Sequence, residues 1–459
     1  MTKEEMLCPD DIRCKFSREM SNLYQREVPA YETLLELVQQ VNKEILDSDT
    51  VASGKQIWAP TPSRLGEERH GAIRLGTAAE LRMIRRIFSI MGMHPVGYYD
   101  LSQAGIPVHA TAFRPIDQAS LNKNPFRVFT SLLRLDLIGD EQLRKRAQKT
   151  LEERDIFSDR AREYVAQIEQ DGGLAPKDLD EFIEEIMKTF RWHQQANVDL
   201  QFYSLLHDAH RLVADIVSFK GPHINHLTPG TLDIDAVQKL MPSHGISPKA
   251  IVEGPPLRSC PILLRQTSFK ALEETVSFPS IKGGADESSH TARFGEVEQR
   301  GAALTPKGRD LYDRLLKKVR AKVTPLPDGE NSGEYNQVLA EIFKEFPDNW
   351  EKIREQGLAY FSYKIVGNID DAKTTDIESL IKAGIVVAEP LFYEDFLPVS
   401  AAGIFQSNLG EEVTQEFSVV PNRKEFERDL GTTTYEECAL YAEMESQSLK
   451  AIYKILPAS

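Results

Sequence analysis

A chain of 459 residues with 41% hydrophobic and 27% charged side chains has the composition of an ordinary globular protein and is long enough for more than one structural unit. Its formal charge of −15 argues against nucleic acid as a partner, because phosphate contacts rely on clustered Lys and Arg. No apolar stretch approaches the ~20 residues needed to cross a bilayer, the polar start MTKEEMLCPDDIRCKF does not read as a secretory leader, and the four cysteines form no C-x-x-C pair, so a reduced cytoplasmic setting is expected.

Residues 30–47, AYETLLELVQQVNKEILD, carry apolar side chains at helical spacing and predict an N-terminal helix. Residues His70 to Leu75 predict a short strand, followed by a helix over AAELRMIRRIFSIMGM with Thr77 as its cap and Glu80 as the capping-box partner. HPVGYYDLS, IPVHATAFRPI and FRVFTSLLRL then predict three further strands between Gly, Pro and Asn punctuation. The order is β-α-β-β-β, and residues 1–139 are expected to hold it together with the N-terminal helix.

Residues 140–220 change to charged amphipathic segments, including DLDEFIEEIMKTFRW and VDLQFYSLLHDAHRLVADIVSF, and predict a helical insertion. The basic run LRKRAQK within it reads as a solvated helix face. From 221 to 305 the first order recurs at low similarity: HINHLTPGTLDIDAVQKLMPSHGI gives a strand, a turn and a helix, and LLRQTSFKALEETVSF and TARFGEVEQRGAAL give strands. Residues 306–459 mix helices with β-like GLAYFSYKIV and AGIVVAEPLFY and are expected to form a packed α/β cap, with PLPDGENSGE as a boundary loop. The fold class is thus α+β: duplicated units building a mixed sheet, with helical insertions and a C-terminal cap.

Both units open with a histidine, His70 in the first and His223 or His226 in the second. Paired first strands would bring these residues together, and His223 and His226, three apart in extended chain, cannot both face one side. His207 and His210 have a helical metal-ligand spacing but no further ligand beside them, while His94, His109, His193, His244 and His290 read as packing or surface residues. The closing strand of the second unit offers Glu296 and Glu298 on one face, and alternation does not choose between them. FRVFTSLLRL offers no His, Asp or Glu, which predicts three protein ligands and not four. Two imidazoles and one carboxylate suit Fe(II) with open positions for substrate and dioxygen.

The duplicated unit, the two histidines and FGEVEQRG resemble the vicinal oxygen chelate superfamily, in particular the iron dioxygenases related to 4-hydroxyphenylpyruvate dioxygenase and hydroxymandelate synthase. Their closing strand, Glu-Ile-Ile-Gln-Arg, aligns onto Glu296 to Arg300, which makes Glu296 the implied ligand, and the match around HLTPGTLDI selects His226. More closely, EERHGAIRLGTAAELR, GPHINHLTPG, ARFGEVEQRGAALTPKGR and YEDFLPVSAAGIFQSNL are similar to the 2-oxoadipate dioxygenase/decarboxylase family, the D-2-hydroxyglutarate synthases of bacterial lysine catabolism. The resemblance implies Fe(II) on His70, His226 and Glu296, and a 2-oxo dicarboxylic acid and O2 as small-molecule partners. It implies conversion of 2-oxoadipate to 2-hydroxyglutarate and CO2 without a separate 2-oxoglutarate cosubstrate.

Arg74, four residues after His70, falls on the same strand face roughly 13 Å along at ~3.3 Å per residue, where it could clamp a distal carboxylate. The resemblance also places Val399 and Ser400 over the substrate. The alternative is a metal-dependent isomerase or lyase of the same superfamily; those enzymes usually have four protein ligands.

Overall fold

Cross-strand partners set where the two opening histidines fall. The computed structural model describes residues 6–47, 60–269, 273–280, 284–291, 293–326, 329–368, 374–397 and 422–456. Strands β1 (Arg69–Leu75), β2 (His94–Asp100), β3 (Val108–Arg114), β4 (Arg127–Leu133) and β5 (Leu227–Pro229) form one mixed sheet in the order β2-β3-β4-β1-β5. β1 runs parallel to β4 with His70 opposite Arg127, and antiparallel to β5 with His70 opposite Thr228. The segments expected to open the two units are therefore direct neighbours, as a site shared by His70 and His226 requires.

The Ala78–Ile90 helix starts on the Thr77–Glu80 capping box read from the sequence and buries Leu81, Ile84, Ile87 and Phe88. The Pro29–Leu46 helix also forms as expected. Ahead of it lies a helix that the polar start of the chain concealed, Pro9–Glu27, whose Ile12, Phe16, Met20 and Leu23 enter the same core at helical spacing.

After β5 come the Ile234–Leu240 helix, β6 (Leu264–Ser268), β7 (Glu273–Pro279), β8 (Ala285–Thr291) and β9 (Glu296–Arg300). β9 is antiparallel to β6 and meets the end of β5 through a parallel bridge from Gly230 to Glu298. Chain at 248–253 bridges Gln266 of β6 and Phe269 just beyond its end. The β7–β8 pair is an extra hairpin ahead of β9.

Helices Glu141–Glu153, Asp159–Asp171, Leu179–Met187, Leu200–Ala209 and Arg211–Ser218 occupy the expected helical stretch. The last two interrupt what the sequence presents as one segment; the break falls at His210, whose side chain accepts the Leu212 amide and caps the second helix. His210 thus serves as a cap. Beyond residue 305, the Pro306–Arg320, Ser332–Phe343 and Glu437–Tyr453 helices and the antiparallel pair β10 (Phe361–Ile365) and β11 (Val386–Pro390) gather largely around a separate core containing Leu315, Val319, Leu339 and Phe361. The expected boundary loop ends early, because helix resumes at Ser332. From this region Phe396 returns to pack in the core beneath β3 and β4. Among the described residues, no helix is long and apolar enough to cross a membrane.

Candidate metal centre

His70 lies on β1 between Arg127 of β4 and Thr228 of β5, each directly across from it. His226 sits one residue before β5 and not within it. Its backbone can approach β1 closely because Gly71 lies opposite: a Cβ there would meet Ile224 Cδ1 at 2.5 Å and the His226 carbonyl at 3.2 Å. The imidazoles come to rest edge to face with centroids 5.3 Å apart. β9 delivers Glu296 beneath them, and one donor atom from each of His70, His226 and Glu296 lies within 4.8 Å of the others. All three side chains are buried.

The two glutamates that sequence geometry left equivalent are distinguished by their partners. Glu298 accepts a bidentate pair from Arg127 (3.0 and 2.8 Å) and a further bond from Arg300 Nε (3.0 Å). Arg300 pairs in turn with Glu394, Glu394 with Arg64, and Arg64 with Glu68, so three arginines balance three glutamates in one buried network. Burial alone would raise the Glu298 carboxyl, but Arg127, His70 and Arg300 hold it well below the usual carboxylate range. Glu296 has no arginine among its partners. Its Oε1 takes Thr228 Oγ1 at 3.0 Å, Gln266 Nε2 at 2.9 Å and His70 Nε2 at 2.9 Å, while its Oε2 is buried without a hydrogen-bond partner. A buried, partnerless carboxylate oxygen beside two imidazoles is what a divalent cation would satisfy, so the donor set fits a metal.

Burial holds His226 down to about 3 against the pull of Glu296, so its ring is neutral and able to donate a lone pair at ordinary pH. His70 stands between the carboxylates: Nε2 faces Glu296 and Nδ1 lies 2.9 Å from Glu298 Oε2, out of hydrogen-bond alignment. Phe396 packs 5.0 Å from the His70 ring and Phe294 4.8 Å from that of His226.

Arg74 is buried on β1 and donates from Nη1 to Asp215 at 2.6 Å, a partner the sequence did not suggest. His223 goes to that same carboxylate, Nε2 to Oδ1 3.5 Å, while His226 goes to the metal centre, so the two histidines do part company as the extended chain implied. Val399 and Ser400 lie outside the described residues. Sequence reading missed Arg127, Thr228, Gln266, Asp215 and His290. The sequence shows an arginine on the strand that lacks a ligand, and the pairing of β1 with β4 sets it opposite His70.

A family model described as 2-oxoadipate dioxygenase/decarboxylase matches residues 16–408. The 2-oxoadipate dioxygenase/decarboxylase of Pseudomonas putida is 54% identical over 461 residues, covering 99% of this chain and 99% of that protein. The Escherichia coli K12 protein of the same name is 54% identical over 444 residues, with 96% and 97% covered. Among solved structures, the hydroxyglutarate synthase of Pseudomonas putida in complex with 2-oxoadipate superposes with a TM-score of 0.89 at 51% identity, covering 98% of each chain.

Proposed function

The chain belongs to the 2-oxoadipate dioxygenase/decarboxylase family, and on that premise we propose that it is an Fe(II)-dependent enzyme converting 2-oxoadipate and dioxygen to D-2-hydroxyglutarate and carbon dioxide, a step of lysine breakdown. The observation that carries this reading is the convergence of His70, His226 and Glu296 on one buried point. Fe(II) held by two imidazoles and one carboxylate keeps open positions for the carboxylate and keto oxygen of a 2-oxo acid and for dioxygen.

The protein's own part is to hold, orient and exclude. Thr228 and Gln266 fix Glu296 through Oε1 and leave Oε2 as its donor. Glu298, gripped by Arg127 and Arg300, sets a fixed negative charge 2.9 Å from His70 Nδ1, which favours a proton on that nitrogen and would leave Nε2 for the ion. Phe396 and Phe294 shield the two rings from water. Arg74 clamps the far carboxylate of the substrate, and Val399 and Ser400 are assigned to substrate binding on the family resemblance alone. Arg74→Ala should therefore keep iron yet lose about 10-fold or more in kcat/KM on 2-oxoadipate.

The fold is read as two vicinal oxygen chelate units within 1–139 and 221–305, an insertion at 140–220 and a cap at 306–459. Support comes from the β1–β5 pairing and from the like placement of β4 beside β1 and β9 beside β5. A cytoplasmic setting is part of the reading, and the four free cysteines are consistent with it.

Anaerobic loading with Fe(II), followed by oxygen-electrode assays on 2-oxo acids of increasing length, tests the proposal. Oxygen uptake with release of carbon dioxide should peak at 2-oxoadipate. Turnover that consumes no oxygen would replace it with an isomerase or lyase.

A further inference from the structure

A buried line of polar side chains runs behind Arg74, and the metal centre makes no use of it. Asp215 takes Arg74 Nη1 on Oδ2 and His290 Nε2 on Oδ1 (2.9 Å); His290 Nδ1 meets the Tyr203 hydroxyl at 2.8 Å. With the Asn225 amide turned so that its oxygen faces them, it accepts from Arg74 Nη1 at 3.1 Å and His223 Nε2 at 3.0 Å. These groups come from β1, the Arg211–Ser218 helix, β8, the Leu200–Ala209 helix and the chain leading into β5. Trp192 packs against His223 and His290, and Phe219 against His290.

Burying an ion pair of this kind offers little net stability over apolar packing, so its cost calls for another use. A guanidinium is a planar fork with five N–H donors, and anchoring one edge on a fixed carboxylate sets the direction of the rest. We propose that Asp215 is a positioning residue for Arg74: backed by His290 and Tyr203, it holds the guanidinium toward the far carboxylate of the substrate and so sets the preference for a dicarboxylic 2-oxo acid. This rests on the reading of Arg74 as the substrate clamp. The line is satisfied link by link. Asp215, held far below the usual carboxylate range by Arg74, His223 and His290 in spite of burial, is an acceptor, so His290 must turn a donor to it and its other nitrogen to Tyr203. The Tyr203 hydroxyl, pushed up to about 12 by burial and by Asp215, stays protonated. An arginine ordered before substrate arrives loses less freedom on binding, which appears in KM more than in kcat.

The test compares 2-oxoadipate with 2-oxohexanoate, which has the same chain length and no distal carboxylate. Asp215→Asn should retain iron and raise KM for 2-oxoadipate by about 10-fold, with little change for 2-oxohexanoate. Tyr203→Phe, which loses one hydroxyl and no charge, should move the same ratio by about 3-fold and decides the matter if Asp215→Asn does not fold. In an Arg74→Ala background, Asp215→Asn should leave the ratio where Arg74→Ala put it. An equal loss on both acids, or a sharper preference for the dicarboxylate in Asp215→Asn, overturns the proposal. If Arg74→Ala leaves the preference intact, the clamp reading itself has failed. If Arg74→Ala abolishes the preference and neither Asp215→Asn nor Tyr203→Phe alters it, only the role of Asp215 falls.

Discussion

β4 and β9 stand in like positions, one beside β1 and the other beside the end of β5, yet they present opposite charges to the interior. β4 offers Arg127 where β9 offers Glu296 and Glu298, and the arginine reaches across to grip the second of those glutamates. One strand thus neutralises a carboxylate of the other. What remains for a metal is Glu296 with its two histidines, and no ligand comes from β4. Three donors, with none from β4, would leave a bound metal open positions for further ligands.

Removing the anion on β9 should have the largest effect. Glu296→Ala is expected to abolish Fe(II) retention after desalting and all oxygen uptake with 2-oxoadipate, and His70→Ala and His226→Ala should do the same. Full activity in Glu296→Ala with loss in Glu298→Ala would transfer the ligand role to Glu298. Breaking the β4 side is next. Arg127→Gln leaves Glu298 buried with Arg300 as its one remaining arginine, and a broken buried pair costs about 3–5 kcal/mol, so denaturant unfolding should show a clear fall in stability. Iron should still bind in the folded fraction, about 10-fold or more weaker, because the carboxylate behind His70 is no longer held.

Much of this was legible in sequence because it is local. The capping box at Thr77, the four strands up to Leu133 and the face shared by Glu296 and Glu298 depend on alternation and spacing. What spacing cannot give is the partner. Glu298 looked as available as Glu296 until Arg127, distant in the chain, was seen to bind it. Arg74 reads as a substrate clamp, and only the fold brings it Asp215, from a helix far along the chain, with His290 of β8 behind that carboxylate. The helix at Pro9–Glu27 was hidden for a related reason: its apolar side chains are sparse among charged residues and find their purpose in packing against elements far along the chain.

Acid should weaken the metal-free protein through the histidines near β5. Burial holds His223 and His226 at about 3, whereas the unfolded chain takes up these protons near 6.5. Because the folded values are depressed, their contribution is full above pH 6.5 and is lost as pH falls toward 3. At pH 5 each should cost the folded state about 2 kcal/mol. Thermal melts of metal-free protein between pH 7.5 and 5 should show a falling midpoint, with a shallower fall in His223→Gln.

The smallest expected effect sharpens the comparison most, because it touches β9 without changing any charge. Glu296 Oε1 is held by Thr228 from β5 and by Gln266 from β6, one neighbour on either side of β9. Thr228→Val keeps the side-chain shape and removes only the hydroxyl, so stability should fall by about 1.5–3 kcal/mol, the cost of one hydrogen bond to a charged group. Gln266 remains, so the carboxylate keeps a tether and gains freedom to turn. Fe(II) affinity, measured anaerobically by competition with a chelator, should therefore weaken toward the lower end of what loss of a supporting hydrogen bond does, about 10-fold. A parallel Gln266→Leu variant should weaken it comparably, and the pair together by more than either alone. If Thr228→Val left metal affinity unchanged while lowering stability, the two donors would be fastening β9 to its neighbours without aiming Glu296, and the open oxygen Oε2 would owe its direction to the strand alone.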